Sequence, residues 1–219
     1  MIKAVIFDLD GVIVDSEHIH VEAEKQTMLK YDVRISSEEL RKYTGSTAKF
    51  MFAELIEKYK LDTTVEEIFN EKEEVLFKLL EADTHPTKGV IELIRKLEQR
   101  NLKLGIASSA HKRLVEYVLR KLGIKHVFES IMSSEDIVHC KPNPEIFLMS
   151  ADKLGVSPNE CVVIEDAELG VKAAKNAQMK CVGYRNPNSG NQDLSKADII
   201  VDDFSKLDLQ ELLSLQSRT

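Results

Sequence analysis

Cysteine is scarce: the 219 residues hold three, Cys140, Cys161 and Cys181, an odd number with no C-x-x-C spacing. Neither a disulfide framework nor a zinc site is indicated. Cys161 and Cys181 sit in apolar runs and read as core thiols. Cys140 lacks the paired histidine that a nucleophilic thiol needs, so a structural role is expected of it. Tryptophan is missing, and aromatic residues make up only 6% of the chain. No apolar stretch approaches the length of a membrane span, and the opening run M-I-K-A-V-I-F-D is too short for a secretory signal. Basic charge is not in excess either. The net charge of −7 argues against nucleic acid or an anionic membrane as the main partner. No G-x-G-x-x-G follows any run that reads as a strand, which argues against a dinucleotide site of the usual kind. A cytoplasmic protein, acting as a monomer, is the expectation.

What is present begins at Val5, in V-I-F-D-L-D-G-V-I-V-D-S-E. The apolar residues Ala4 to Phe7 read as a buried strand that stops at Asp8, and a carboxylate ending a core strand is costly unless it has work to do. If the chain is still extended there, Asp8 and Asp10 share one face, and Leu9 turns to the core. Gly11 allows a sharp change of direction. Paired acids repel, so they need a cation, a shared proton or both, and oxygen ligands favour a hard ion such as Mg²⁺. Taken alone, the D-x-D pair fits equally well a loop that caps the following helix.

From Glu17 to about Ala82 the chain is rich in Glu and Lys, with apolar residues at helical spacing: Phe50, Phe52, Leu55, Ile56 and Tyr59, then Ile68, Val75, Leu76 and Leu79. Ser36 with Glu39 gives a helix start, and Gly45 marks a break. After Pro86, helices alternate with short strands. Helices are expected at 88–100, 112–122, 144–154, 170–178 and 207–215, with Pro144 at the first helical position of the third. Strands are expected at 102–107, 127–132, 161–164, 180–184 and 199–201. This alternation predicts an α/β fold with a parallel sheet covered on both faces and a ligand crevice beyond the carboxyl ends of its strands. The polar residues fall there: Asp8 after the first strand, Ser108 and Ser109 after the second, Glu165 and Asp166 after C-V-V-I.

D8-L-D10-G-V, Ser108 after a strand, Lys141 in K-P-N-P-E-I-F, and E165-D166-A-E-L-G-V-K-A-A closely resemble the four motifs of the haloacid dehalogenase superfamily. D-G-V-I-V-D-S-E-H-I-H narrows the resemblance to the subgroup of β-phosphoglucomutase and related sugar-phosphate phosphatases. The resemblance implies a Rossmann-like core of residues 1–14 and 83–219 and a small, all-helical cap of residues 15–82. It also implies a small phosphorylated metabolite as partner and Mg²⁺ as cofactor.

Hydrolysis of a phosphomonoester needs an in-line nucleophile, neutralised phosphoryl oxygens and a proton for the leaving alcohol. Asp8 is placed to form an aspartyl-phosphate, and Asp10 to protonate the leaving oxygen and later to activate water. Mg²⁺ is expected on Asp8, the main-chain carbonyl of Asp10 and Asp166, with Glu165 a ligand or the neighbour of one. Ser108, with Ser109 beside it, lies where a hydroxyl and free N–H groups hold phosphate oxygens, unless it merely caps the next helix. Lys141 supplies a fixed positive charge. Asp10 itself favours phosphate esters, since superfamily members that cleave carbon–halogen bonds or phosphonates lack an acid there.

On the cap side, His20 matches a hinge histidine of the mutase. The mutase grips a second phosphate with a cap arginine, and with a serine and an asparagine after the second motif. This chain offers Ala48 with Lys49 beside it, and Ala110 and Lys112. A lysine point charge does not replace a bidentate grip, so a phosphatase is preferred to a mutase. Lys72 or Lys78 are further cap cations that could reach the site. A phospho-accepting signalling module would have similar aspartates but no need of Asp10 or of a cap. A phosphate-binding protein without turnover is the remaining alternative.

Overall fold

The computed structural model describes residues 1–43 and 46–215. At its centre six strands, β1 (Ala4–Phe7), β2 (Lys103–Ala107), β3 (Ser130–Met132), β4 (Cys161–Glu165), β5 (Lys180–Tyr184) and β6 (Ile199–Val201), form a parallel sheet in the order β3-β2-β1-β4-β5-β6. Between β1 and β2 lie α1 (Glu17–Leu29), α2 (Ser37–Leu40), α3 (Ala48–Tyr59), α4 (Val65–Ala82) and α5 (Val90–Glu98). After β2 come α6 (Lys112–Lys121), α7 (Glu145–Leu154), α8 (Glu168–Asn176) and α9 (Leu209–Ser214). This is the α/β, Rossmann-like architecture expected.

β1 takes the central position because all four of its side chains are apolar and buried, leaving no face for water. Alternation along the strands sorts the core into two layers. Val5 and Phe7 join Leu104, Ile106, Val162 and Ile164 under α5, α6 and α9, whereas Ala4 and Ile6 join Cys161 and Val163 against α7 and α8. Cys161 and Cys181 are buried core thiols, and burial raises the pKa of each.

The segment between β1 and α5 contains no strand among its described residues, and has an apolar cluster of its own around Met28, Leu40, Met51, Phe52, Leu55 and Ile68. Its helices start where side chains satisfy the free N–H groups of the first turn. Ser36 accepts from the N–H of Glu39, and Thr64 and Glu67 form a reciprocal capping box. α1 and α4 pack on each other and span both regions: Ile19, Ala23, Leu76 and Leu80 join the sheet-side cluster, while Met28 and Ile68 join the other. The segment enters and leaves side by side. Asp15 N–H donates to the His85 carbonyl (3.1 Å), and Thr87 N–H to that of Ile13 (3.0 Å).

Three local expectations are corrected. The strand expected at 127–132 is confined to Ser130–Met132, because Lys125–Val127 form a 3₁₀ turn that brings Phe128 edge-on to Phe7, with ring centroids 6.2 Å apart. Pro144 is the N-cap of α7 rather than its first residue; Asn143 Oδ1 accepts from Glu145 N–H and sets the start one position later. Phe50, assigned to the apolar stripe of α3, is exposed, and Phe52 and Leu55 carry the burial. Gly45 lies outside the described residues.

Candidate active site

Strand register assembles the centre of the site. Phe7 pairs with Ile106 on one side and Ile164 on the other, so Asp8 and Glu165, which follow directly, and Ser108, one residue farther on past Ala107, emerge together at the carboxyl edge. Asp8 N–H donates to the Ile164 carbonyl at 2.9 Å, which keeps the chain in strand geometry to that point. Leu9 then turns into the core, as the period of two requires.

Lys141 reaches this edge from the loop before α7 and is only 4% exposed. Its Nζ lies 2.6 Å from Asp8 Oδ1, 2.7 Å from Glu165 Oε1 and 3.1 Å from the Ala107 carbonyl, so its three hydrogens have three acceptors. Burial opposes its charge, but Asp8 and Glu165 outweigh burial and raise its pKa. The other oxygen of Glu165 accepts from the N–H groups of Asp166 (2.9 Å) and Ala167 (3.0 Å). Gly170 makes room for this carboxylate: a Cβ there would fall 1.7 Å from Glu165 Oε1. Asp166 accepts from the Ser189 hydroxyl, and at Gly11, whose φ is +79°, a Cβ would fall 2.1 Å from Asp166 Oδ2.

Oxygens of Asp8, Glu165 and Asp166 all lie within 4.8 Å of one another. Burial pushes Asp8 up; Lys141 works against it, Glu165 and Asp10 add to it, and the pKa stands at about 8. Burial, then Glu17, Glu165 and Asp8, raise Asp166 well above its ordinary value. Three converging carboxylates, two of them unwilling to ionise without a cation, fit a hard divalent ion such as Mg²⁺. Glu165 is already engaged by Lys141 and two amides, leaving Asp8 and Asp166 the freer donors.

The Asp10 side chain is directed elsewhere. It accepts from Ser16 Oγ at 2.6 Å and lies 3.0 Å from His20 Nε2. Lys72 Nζ, 2% exposed as a residue, sits 3.2 Å from His20 Nδ1 and 3.1 Å from Glu73 Oε1. A lysine ammonium can only donate, so Nδ1 accepts and Nε2 carries the proton offered to Asp10. Burial alone would raise the Asp10 pKa; His20, Ser16 and Lys72 override it and hold the carboxyl at about 2. Glu73 continues the network to His111 Nε2, linking α4 to the N-cap of α6.

A cavity of about 530 Å³ opens above these groups, running from Asp8, Asp10 and Ser108 to Leu40, Met51 and Phe69. Of the residues expected at the site, Asp8, Asp10, His20, Lys49, Ser108, Ser109, Glu165 and Asp166 line it, and Lys141 supports it from below. Ser108 Oγ accepts from the Ala110 N–H at 3.0 Å, a turn rather than a cap of α6, which begins at Lys112. Lys49 is paired with Glu66 at 2.8 Å. Lys112 is not in the described lining; its N–H donates to Glu135. Of the two other cap lysines, Lys72 reaches the site and Lys78 is exposed. Cys140 is exposed at the cavity, with Thr47 Oγ1 3.8 Å from its sulfur.

Sequence reasoning did not single out Ser16, Glu17, Glu24, Glu73, His111 or Ser189. Ser16, Glu17 and Glu24 carried a usable signal, since they stand four and three residues before His20 and four after it, at the spacing of one helical face.

Residues 5–184 match the family described as haloacid dehalogenase-like hydrolase. The chain belongs to that family. It is 34% identical over 220 residues to the β-phosphoglucomutase of Bacillus subtilis, a match covering 96% of this chain and 93% of the relative. It is 28% identical over 180 residues to the fructose-1-phosphate phosphatase YqaB of Escherichia coli, covering 82% and 95%. The crystal structure of CbbY from Rhodobacter sphaeroides in complex with phosphate superposes with a TM-score of 0.87 at 26% identity, covering 94% of this chain and 96% of that one. The haloacid dehalogenase-like core and the β-phosphoglucomutase-like subgroup inferred from the motifs are therefore sound, and the chain is an enzyme of a family with named phosphatase and mutase members. No described helix is long and apolar enough to cross a membrane.

Proposed function

We propose that this enzyme is a Mg²⁺-dependent phosphomonoester hydrolase acting on a small sugar phosphate or similar metabolite through an aspartyl-phosphate. The observation that carries the reading is the meeting of Asp8, Lys141, Glu165 and Asp166 at one sheet edge, with the Asp10 carboxyl held to one side by Ser16 and His20. Asp8 attacks phosphorus, the P–O bond to the alcohol breaks, and the resulting acyl phosphate is later hydrolysed by water to free Asp8 and inorganic phosphate. Lys141 holds Asp8 in place and balances the charge of the phosphate, and the Ser108 hydroxyl with neighbouring N–H groups receives the phosphoryl oxygens. Asp10 shuttles a proton to the departing alcohol and from the incoming water, work of about 10²–10⁴-fold in such sites. His20, backed by Lys72, orients that carboxyl. Asp8 and Asp166, with the main-chain carbonyl of Asp10, would hold Mg²⁺, which would supply neutralisation of the phosphoryl charge.

In this reading residues 15–82 form the cap of a core made of 1–14 and 83–219, and the cap residues select the substrate. Three free cysteines suit the reducing cytoplasm. The decisive experiment is steady release of inorganic phosphate from p-nitrophenyl phosphate in Mg²⁺. EDTA and Asp8→Asn should each abolish it, and a single equivalent of phosphate, or an active Asp8→Asn, would overturn the reading.

The identity to a β-phosphoglucomutase supports one second reading, phosphoryl transfer within a hexose phosphate. The pairing of Lys49 with Glu66 disfavours it, since a mutase must also hold a second phosphate. Glucose 6-phosphate formed from β-glucose 1-phosphate and glucose 1,6-bisphosphate, without free phosphate, would establish the mutase.

A further inference from the structure

After β5, residues 186–189 run against the site as a short strap, and three of their side chains hold three different parts of it. Ser189 Oγ donates to Asp166 Oδ2. Asn186 Nδ2 donates at 3.0 Å to the carbonyl of Gly11, on the turn that follows Asp10. Asn188 Nδ2 lies 2.9 and 3.1 Å from the two carboxylate oxygens of Asp15, whose own N–H is tied to His85 at the root of the helical segment. These contacts are shielded from water: Ser189 is 1% and Asn186 5% exposed, and Asn188 and Asp15 are half-buried.

The strap is also stiffened from within. Asn186 Oδ1 accepts from Asn188 N–H at 2.8 Å, and Gln192 Nε2 donates to the Ser189 carbonyl at 3.0 Å. Gln192 Oε1 in turn accepts from the N–H of Glu168, the first residue of α8, at 3.0 Å. The Ser189 hydroxyl is thus delivered to one place, between anchors on both sides. Lys141 and two amides hold Glu165, and Lys141 holds Asp8; for Asp166 the strap supplies the hydrogen bond. Converging carboxylates repel one another, so a side chain that fixes the rotation of one of them prepares the group for a cation.

We propose that Ser189 is the positioning residue that presents Asp166 to Mg²⁺, and that Asn188, by clamping the strap to Asp15, holds Ser189 there and couples the metal site to the root of the helical segment. This inference rests on the metal site of the phosphatase reading and goes beyond it. Ser189 keeps the Asp166 carboxylate where its oxygen lies within 4.8 Å of those of Asp8 and Glu165. Without the hydroxyl the carboxylate turns away from its neighbours, and part of the binding free energy of the cation is spent on turning it back.

The test uses the full-length enzyme freed of metal with EDTA and then dialysed, and reads Mg²⁺ affinity by isothermal titration calorimetry without substrate. Ser189→Ala should weaken Mg²⁺ binding by about 10–100-fold, and Ser189→Thr, which restores the hydroxyl, should recover most of it. Asn188→Leu removes a partner of Asp15 and leaves Asp166 its hydroxyl; it should weaken Mg²⁺ binding by about fivefold. Because Asn188 acts through Ser189, the double variant should match Ser189→Ala within about twofold. Thermal unfolding in EDTA checks that each variant is folded. A Ser189→Ala that melts lower yet binds Mg²⁺ like the wild type would show a merely structural serine and overturn the proposal. So would an unmoved Asn188→Leu, or a double variant in which the two losses multiply. Those outcomes leave the phosphatase reading intact, whereas a wild type that binds no Mg²⁺ at millimolar concentration would remove the metal site from that reading, and this proposal with it.

Discussion

His20 Nε2 lies 3.0 Å from Asp10 Oδ1, so a helix outside the sheet holds the acid that follows the first strand. Without His20 the Asp10 pKa should climb from about 2 toward the ordinary carboxylate range. The limb of the kcat/KM profile on which Asp10 loses its proton should move to higher pH by about one unit or more in His20→Ala, with kcat down about 10–100-fold. An unmoved limb would mean that the histidine only packs.

Lys141 is the hub of the buried charges. Lys141→Met should leave phosphatase activity undetectable. It should also cost about 3–5 kcal/mol of stability at pH 8, because Asp8 and Glu165 lose the cation between them. At pH 5 the loss should be smaller, since the stranded carboxylates then take up protons. Urea unfolding at the two pH values measures both quantities.

Removal of the metal should be visible without substrate. Asp8, with its pKa raised to about 8, binds a proton more tightly folded than unfolded. Its ionisation therefore takes stability away as pH rises from about 4 to about 8. In EDTA the protein should be less stable at pH 8 than at pH 6, and Mg²⁺ at 100 times its Kd should add about 2.7 kcal/mol. Asp166→Asn should lose most of that gain. Thermal midpoints with and without Mg²⁺ decide the matter.

Glu73 shows the opposite sign. Burial opposes its charge, but His111 and Lys72 prevail and bring it down to about 2. Its contribution is present above about pH 4.5 and is lost as pH falls toward 2. Glu73→Gln should thus be destabilised at pH 7, yet decline less steeply than the wild type between pH 6 and 3. Parallel slopes in urea titrations would show that the ion pair contributes nothing.

The fold and the floor of the site were legible because each depends on short-range patterns. Apolar runs ending in acids locate β1 and β4, and the parallel order then brings Asp8 beside Glu165. Lys141 was legible only through the motif around it; nothing local says that its stem crosses the core to Asp8. The walls of the cavity were harder to read. Glu73 looks like any glutamate on a solvated helix, and only the packing of α1 on α4 turns it inward. For the same reason Lys49 read as a free cation, although Glu66, seventeen residues away, had already claimed it.

The two backbone hydrogen bonds that tie Asp15 to His85 and Thr87 to Ile13 make the helical insert, in topological terms, a single long loop on a closed base. Whatever is built between those anchor points leaves the route from β1 to β2 undisturbed. The outer part of the insert, around Met51, Phe52 and Leu55, can therefore diverge while α1 and α4 keep Ser16, His20 and Lys72 on Asp10.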